Sequence, residues 1–203
     1  MTDFGALLAA LDRHQVAFIV VGGAAAIAHG SARLTQDLDI VYDRSPANLA
    51  RLVEALAAHQ PYLRGAPPGL PFLWSAATLE RGLNFTLTTA LGDIDLLGEI
   101  PGGGAYQDLL PGAIELRVFQ ARCLCLSLPQ LIRAKRAAGR PRDLEALAEL
   151  DADPPCSFPV LAATVRAWLA TSSGLRPFLR MWRAGVSIRK PRCSAKVLLS
   201  AVQ

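Results

Sequence analysis

The chain contains no long apolar run. No stretch approaches the roughly 20 apolar residues of a membrane helix, and the longest candidate, Val16 to Ala28, is broken by a glycine pair. Met1-Thr2-Asp3-Phe4 places no basic segment ahead of an apolar core, so no secretory signal is expected. Cysteine is scarce, at four in 203 residues. Cys123 and Cys125 alternate on a strand-like stretch, whereas Cys156 and Cys193 lie far off. With no His or further Cys beside the pair, the spacing falls short of a zinc site and fits buried free thiols. These absences together predict a cytoplasmic protein.

One end of the chain also lacks acid. Residues 1–153 hold thirteen Lys/Arg and all seventeen Asp/Glu, a charge of −4, while residues 154–203 hold eight Lys/Arg and no acid, a charge of +8. The basic balance therefore belongs to the last fifty residues alone, and so does any argument from charge for nucleic-acid binding. The chain is otherwise rich in what a core needs, with 52% hydrophobic residues, and intrinsic disorder is excluded as an overall state. Its length suits one domain, or one domain with an appendage.

Periodicity divides the acidic part into elements. Phe4, Leu7, Leu8 and Leu11 have helical spacing behind a cap at Thr2 or Asp3, giving a helix from Asp3 to His14. Val16 to Val21 is a β-branched run that reads as a buried strand ending at Gly22-Gly23. Ala24 to His29 is helix-prone, Leu38 to Tyr42 is a second strand, and Ser45-Pro46 opens a helix through Ala58 with Ser45 as its cap. Residues 60–71, with Pro61, Pro67, Pro68 and Pro71, read as a loop. Asn84–Thr89 and Asp93–Leu97 form a hairpin across Ala90-Leu91-Gly92. The three glycines at 102–104 mark another loop, and 114–126 is strand-like. Helices follow from Ser127 to about Gly139 and from Pro141 to Leu150. Mixed elements with an antiparallel pair predict an α/β or α+β core.

The chemistry concentrates between Val20 and Val41. Asp37 and Asp39 are two apart on a strand, so both carboxylates leave one face while Leu38 and Ile40 pack on the other. Adjacent carboxylates repel, and their pairing makes sense where a cation neutralises them. Mg²⁺, a hard ion that takes one or two carboxylates plus substrate phosphates, is the natural candidate. Upstream, Gly22-Gly23 at a strand end exposes backbone N–H groups at a helix start, which suits a phosphate. A phosphate-binding turn beside a carboxylate pair is what metal-assisted phosphoryl chemistry requires.

This stretch resembles the signature of the DNA-polymerase-β-type nucleotidyltransferase superfamily: a hydrophobic residue, Gly, then Gly or Ser, a gap of nine to thirteen residues, and Asp-hydrophobic-Asp-hydrophobic. Here Val21 precedes Gly22-Gly23, residues 24–36 intervene, and Asp37-Leu38-Asp39-Ile40 follows. His29-Gly30, Arg33 and Thr35 within the gap are similar to the small prokaryotic branch that includes AbiEii-type toxin nucleotidyltransferases. The resemblance covers about residues 5–150. It implies a nucleotidyltransferase fold, a mixed β-sheet flanked by helices with a helical C-terminal part. It further implies two Mg²⁺ ions held by Asp37 and Asp39, and a third carboxylate on a later strand. Asp95, at mid-strand between Ile94 and Leu96, supplies that carboxylate in preference to Asp93 beside the turn, and would orient or deprotonate an attacking hydroxyl. By the same analogy Lys135 reaches the triphosphate, Arg140 braces it, and Asp143 lies near the site or caps the following helix. Arg33 and Thr35 would position the carboxylates or bind phosphate.

The implied reaction transfers a nucleoside monophosphate from an NTP such as ATP to an acceptor hydroxyl on RNA (a tRNA end, for example), protein or a small molecule. A toxin in a toxin–antitoxin pair, with an antitoxin partner protein, fits the same branch. The rival is a non-catalytic nucleotide- or RNA-binding protein that retains the fold. Plainer roles stand beside several of these assignments. His29 makes a local hydrogen bond, Lys135 lies on a solvated helix face, Asp143 answers a helix dipole, and Phe72, Trp74 and Phe85 belong to the core. The expected organisation is a core over 1–126, a helical element over 127–153 and a basic tail over 154–203. That tail reads as a disordered extension, a basic helical arm with helical spacing over 160–169, or translation in a shifted frame.

Overall fold

The computed structural model describes residues 1–147 except 68, 120, 142, 144 and 146. The basic tail, its helical spacing over 160–169, Cys156 and Cys193 lie outside the described residues. So does the end of the helix expected over 141–150, of which Pro141, Asp143, Glu145 and Leu147 are helical.

The chain begins with α1 (Phe4–Arg13), β1 (Phe18–Val20), α2 (Gly22–Ala28), β2 (Asp37–Tyr42) and α3 (Pro46–Ala57). It continues through β3 (Tyr62–Leu63), α4 (Ala76–Arg81), β4 (Asn84–Thr89), β5 (Gly92–Leu97), β6 (Glu99–Ile100) and β7 (Gly104–Ala105). Then come α5 (Tyr106–Leu109), a 3₁₀ turn (Leu110–Gly112), β8 (Ala113–Val118), β9 (Ala121–Leu126) and α6 (Leu128–Ala138). Seven strands form one sheet in the order β3-β4-β5-β2-β1-β9-β8. β2 runs parallel to β5 and β1 parallel to β9, and the remaining neighbours are antiparallel. The expected mixed sheet flanked by helices is therefore the observed architecture, with β6 and β7 as a small separate ladder.

The core explains the pattern. Leu38 and Ile40 of β2, Leu87 of β4, and Ile94 and Leu96 of β5 are fully buried. Leu7, Leu8 and Leu11 of α1 and Leu49, Leu52 and Leu56 of α3 join the same cluster. Burying each such side chain is worth about 1.5–3 kcal/mol, which fixes the sheet's apolar face more firmly than any single hydrogen bond.

Several local expectations are corrected. Asp3 is the cap of α1, accepting the Ala6 N–H at 2.9 Å. Thr2 instead donates to the Gln36 carbonyl at 2.5 Å and accepts the Asp93 N–H at 3.0 Å, so it stitches the starts of β2 and β5 together. Ser45 occupies the cap position of α3, but its hydroxyl donates to Asp43 at 2.6 Å and caps nothing. The proline-rich stretch 60–71 is not all loop, because Tyr62 and Leu63 pair with Thr88 and Leu87. An edge strand of two residues tolerates flanking proline, which has no N–H to offer the ladder. The strand-like run 114–126 is a hairpin of two strands, turned at Phe119 with φ +51°.

Buried Cys123 and Cys125 carry free thiols, as their alternation on a strand suggests. Burial pushes the Cys123 thiol up to about 12 and raises Cys125 as well, so both stay protonated. Phe72 packs edge-on to Tyr62 and at a tilt to Trp74, whose indole donates to the Val53 carbonyl at 2.9 Å. Among the described residues no helix is long and apolar enough to cross a membrane.

Candidate active site

Strand register assembles the acidic face. Asp37 lies opposite Asp93 and Asp39 opposite Asp95 across the parallel β2–β5 pair. On the far side of β5, Thr88 lies opposite Asp93 and Thr86 opposite Asp95. Directly opposed residues share a face and alternate residues return to it, so these six side chains form two polar rows. Leu38, Ile94 and Leu87 form the apolar row between them on the other face. The alternation that builds the core thus builds the site.

The rows converge on one point. One carboxylate oxygen from each of Asp37, Asp39 and Asp95 lies within 4.8 Å of the other two. Among the described residues this is the one grouping of three or more His, Cys, Asp or Glu able to hold a metal ion. An all-oxygen donor set of this kind suits Mg²⁺ or Mn²⁺ rather than a soft metal. Asp39 carries the electrostatic cost. Its burial, then the charges of Asp37 and Asp95, push it up to about 7, against the Gly23 N–H and Arg64, which pull it down. Asp95 is also raised by burial, with Arg64 and the Thr86 hydroxyl opposing and the Asp37 and Asp93 charges adding to the rise. A divalent cation would reverse this penalty, so the donor set fits such an ion on chemistry as well as spacing.

The glycine pair has a packing reason in this structure. Gly22 sits at φ +59°, and a side-chain carbon there would lie 2.6 Å from Cγ of Asp39 and overlap its carboxylate oxygen. The same atom on Gly23 would lie 2.5 Å from the Thr35 hydroxyl oxygen. Only glycine accepts both the left-handed backbone and this approach. The Gly23 N–H points to Oδ2 of Asp39 at 3.4 Å, and the Val21 N–H donates to the Asp39 carbonyl at 3.0 Å. The turn therefore grips the carboxylate strand directly, in addition to opening α2.

The other expected residues fall at different distances from this centre. The Thr35 hydroxyl donates to Oδ1 of Asp37 at 3.1 Å and is part of the site. Arg33 pairs with Glu145 at 3.0 Å. Lys135 donates to Asp143 at 3.1 Å, which ties α6 to the segment beyond it. Arg140 follows Gly139, the left-handed residue that ends α6. His29 shares a hydrogen bond of 2.7 Å with the Leu126 carbonyl and links the end of α2 to the end of β9, a structural role but across 97 residues rather than the local bond expected of it.

Arg64 was not expected. It follows β3, with its N–H on the Thr86 carbonyl at 2.9 Å, so it extends the row of Thr86, Asp95 and Asp39 to a fourth strand. Its guanidinium lies 2.6 Å from Oδ1 of Asp95 and 3.3 Å from oxygens of Asp37 and Asp93. A lone Arg among prolines and glycines gives no sequence signal. Thr86 is set against Asp95 by a two-residue turn at Ala90-Leu91, since Gly92 already pairs with Thr89. The expected turn over 90–92 is one residue too long and would have set Thr86 opposite Leu96.

No family model and no curated protein matches this chain. Solved structures of similar chain course do exist. One is a provisional nucleotidyltransferase from Thermotoga maritima, at 15% identity, covering 72% of this chain and 89% of that one, with a TM-score of 0.45. Another is ANT(2″)-Ia in complex with adenylyl-2″-tobramycin, at 15% identity, 88% and 92% coverage and a TM-score of 0.40. A third is an antigenic nucleotidyltransferase-like protein from Paracoccidioides brasiliensis, at 15% identity, 87% and 88% coverage and a TM-score of 0.45. At such identities and scores the chemistry of the site rests on its own geometry.

Proposed function

We propose that this chain is a metal-dependent nucleotidyltransferase that moves a nucleoside monophosphate from an NTP to an acceptor hydroxyl and releases pyrophosphate. The observation that carries the proposal is the convergence of Asp37, Asp39 and Asp95 from two adjacent parallel strands to within 4.8 Å, beside a glycine turn pressed against Asp39. These carboxylates would hold Mg²⁺, which when bound neutralises charge on the reacting phosphate and on the attacking and leaving oxygens.

The chain's own residues supply the rest. Thr35 fixes the Asp37 carboxylate through its hydroxyl, and the Gly22-Gly23 turn, packed against Asp39 and Thr35, is the candidate backbone contact to a phosphate. Asp95 is the carboxylate that would orient an attacking hydroxyl or take its proton. Arg33, Lys135 and Arg140 are the candidate contacts to the triphosphate. Lys135 and Arg33 would exchange their present carboxylate partners, Asp143 and Glu145, for phosphate. ATP binding, an RNA, protein or small-molecule acceptor, a toxin role with an antitoxin partner, and a cytoplasmic setting belong to the same reading. So does the division at residues 126 and 153.

A non-catalytic nucleotide- or RNA-binding protein is the second reading, and Arg64 is what favours it, since an arginine on three of the acids is what a retired site would retain. One experiment separates the two. The protein is incubated with each labelled NTP, Mg²⁺ and total cellular RNA or an aminoglycoside, beside the double variant Asp37→Ala/Asp39→Ala. Label transferred by the native chain and lost in the variant supports the enzyme. Nucleotide binding without transfer supports the second reading, and equal labelling by both proteins refutes the site.

A further inference from the structure

The acids of this site already have a cation of their own. Arg64 reaches three of them, Asp37, Asp93 and Asp95, with two of its nitrogens. Two of the three belong to the grouping that could hold an ion. The shortest contact, at 2.6 Å, falls on Oδ1 of Asp95. A divalent cation drawing on those carboxylates meets a monocation on the same charges, and like charges on a shared ligand set oppose each other.

The position of Arg64 allows it to leave. Its side chain is 28% exposed, whereas that of Asp95 beneath it is 18% exposed. Its backbone is held by one hydrogen bond beyond an edge strand of two residues. An arginine has several rotatable bonds and keeps its charge in water, so release needs rotamer changes and no strand movement. The carboxylates, in contrast, sit on β2 and β5, whose backbones are paired on both sides within the sheet.

We propose that Arg64 is a resident counter-cation that neutralises the acidic cluster in the resting protein and competes with the divalent metal for Asp37 and Asp95, so that metal entry expels its guanidinium. This rests on the metal-site reading above, and the opposite role is well defined. A purely structural Arg64 would stay on Asp93 and Asp95 and hold them in place for the ion.

The test is binding of Mn²⁺ alone, counted by electron paramagnetic resonance, to the native chain and to Arg64→Gln and Arg64→Lys. Arg64→Gln should bind Mn²⁺ about tenfold more tightly, a change of about 1.4 kcal/mol, with Arg64→Lys in between. Circular dichroism checks that each variant is folded, and a variant that folds only when Mn²⁺ is added also supports competition. A second measurement needs no variant. Modification of Arg64 by phenylglyoxal, followed by mass spectrometry, should accelerate several-fold when Mn²⁺ binds the native chain.

Unchanged or weaker Mn²⁺ binding by Arg64→Gln, or slower modification on metal binding, overturns the competition. The metal site itself then stands if Asp39→Asn abolishes binding to the native chain. Binding by Arg64→Gln where the native chain binds poorly is the strongest support. No Mn²⁺ binding by any of these proteins removes both this inference and the metal-site reading beneath it.

Discussion

Asp39 should make the metal-free protein less stable as pH rises, the reverse of an ordinary ion-paired carboxylate. Its folded value of about 7 stands above the unfolded 3.8. Below about pH 4 it is protonated in both states and costs nothing. Between 4 and 7 the unfolded chain ionises it while the folded chain keeps the proton, so stability falls by about 1.4 kcal/mol per pH unit. Above about 7 the contribution is flat. Over pH 5–7 the loss reaches about 2–3 kcal/mol. Other carboxylates impose their own pH dependence, and the difference between the native chain and Asp39→Asn isolates this one. Urea denaturation at pH 5, 6, 7 and 8 in EDTA gives both curves. The native chain should lose its advantage over, or fall further behind, Asp39→Asn as pH rises to 7. Saturating Mg²⁺ should cancel the trend, because the bound ion requires the ionised carboxylate. Parallel curves for the two proteins in EDTA would refute the assignment of the raised value to Asp39.

Other expectations follow from specific contacts. Gly22→Ala pays about 1–2 kcal/mol for its left-handed backbone and pushes against the Asp39 carboxylate, so thermal denaturation should show lost stability and calorimetry lost metal affinity together. Thr2→Val breaks both hydrogen bonds between the starts of β2 and β5 and should cost about 1–3 kcal/mol in urea denaturation. His29→Ala removes the link to the Leu126 carbonyl, about 1 kcal/mol, and should leave Mn²⁺ affinity unchanged in the same spin-resonance titration.

Much of the site was legible because it obeys the same period as the core. Asp37, Asp39 and Asp95 alternate with Leu38, Ile40 and Ile94, so one face had to be polar wherever the other was buried. Helix α1 was legible by its period of 3.6, and α3 and α6 by the Ser and Pro that open them at Ser45-Pro46 and Ser127-Leu128-Pro129. The misses share a different cause. β3 has two residues, too few to show any period, and its neighbour Arg64 gains meaning only through pairing with β4, some twenty residues away. Thr2 was read as a local cap, but its hydroxyl serves strands that arrive 34 and 91 residues later. The glycine turn was read for what it leaves open to a phosphate. Its packing against Asp39 and Thr35 depends on how two segments fold together, which spacing alone does not contain.

The β2–β5 register carries a consequence for quality control. A slip of one residue between these strands would turn Asp37 and Asp39 into the apolar layer and bring Leu38 and Ile40 to the surface. Such a molecule would bury charge against Leu7 and Leu52, a penalty of several kcal/mol per carboxylate, and would not persist as a folded species. Preparations of this protein should therefore contain correctly registered molecules and unfolded ones, with little between. Metal-binding capacity per mole would then report the folded fraction directly.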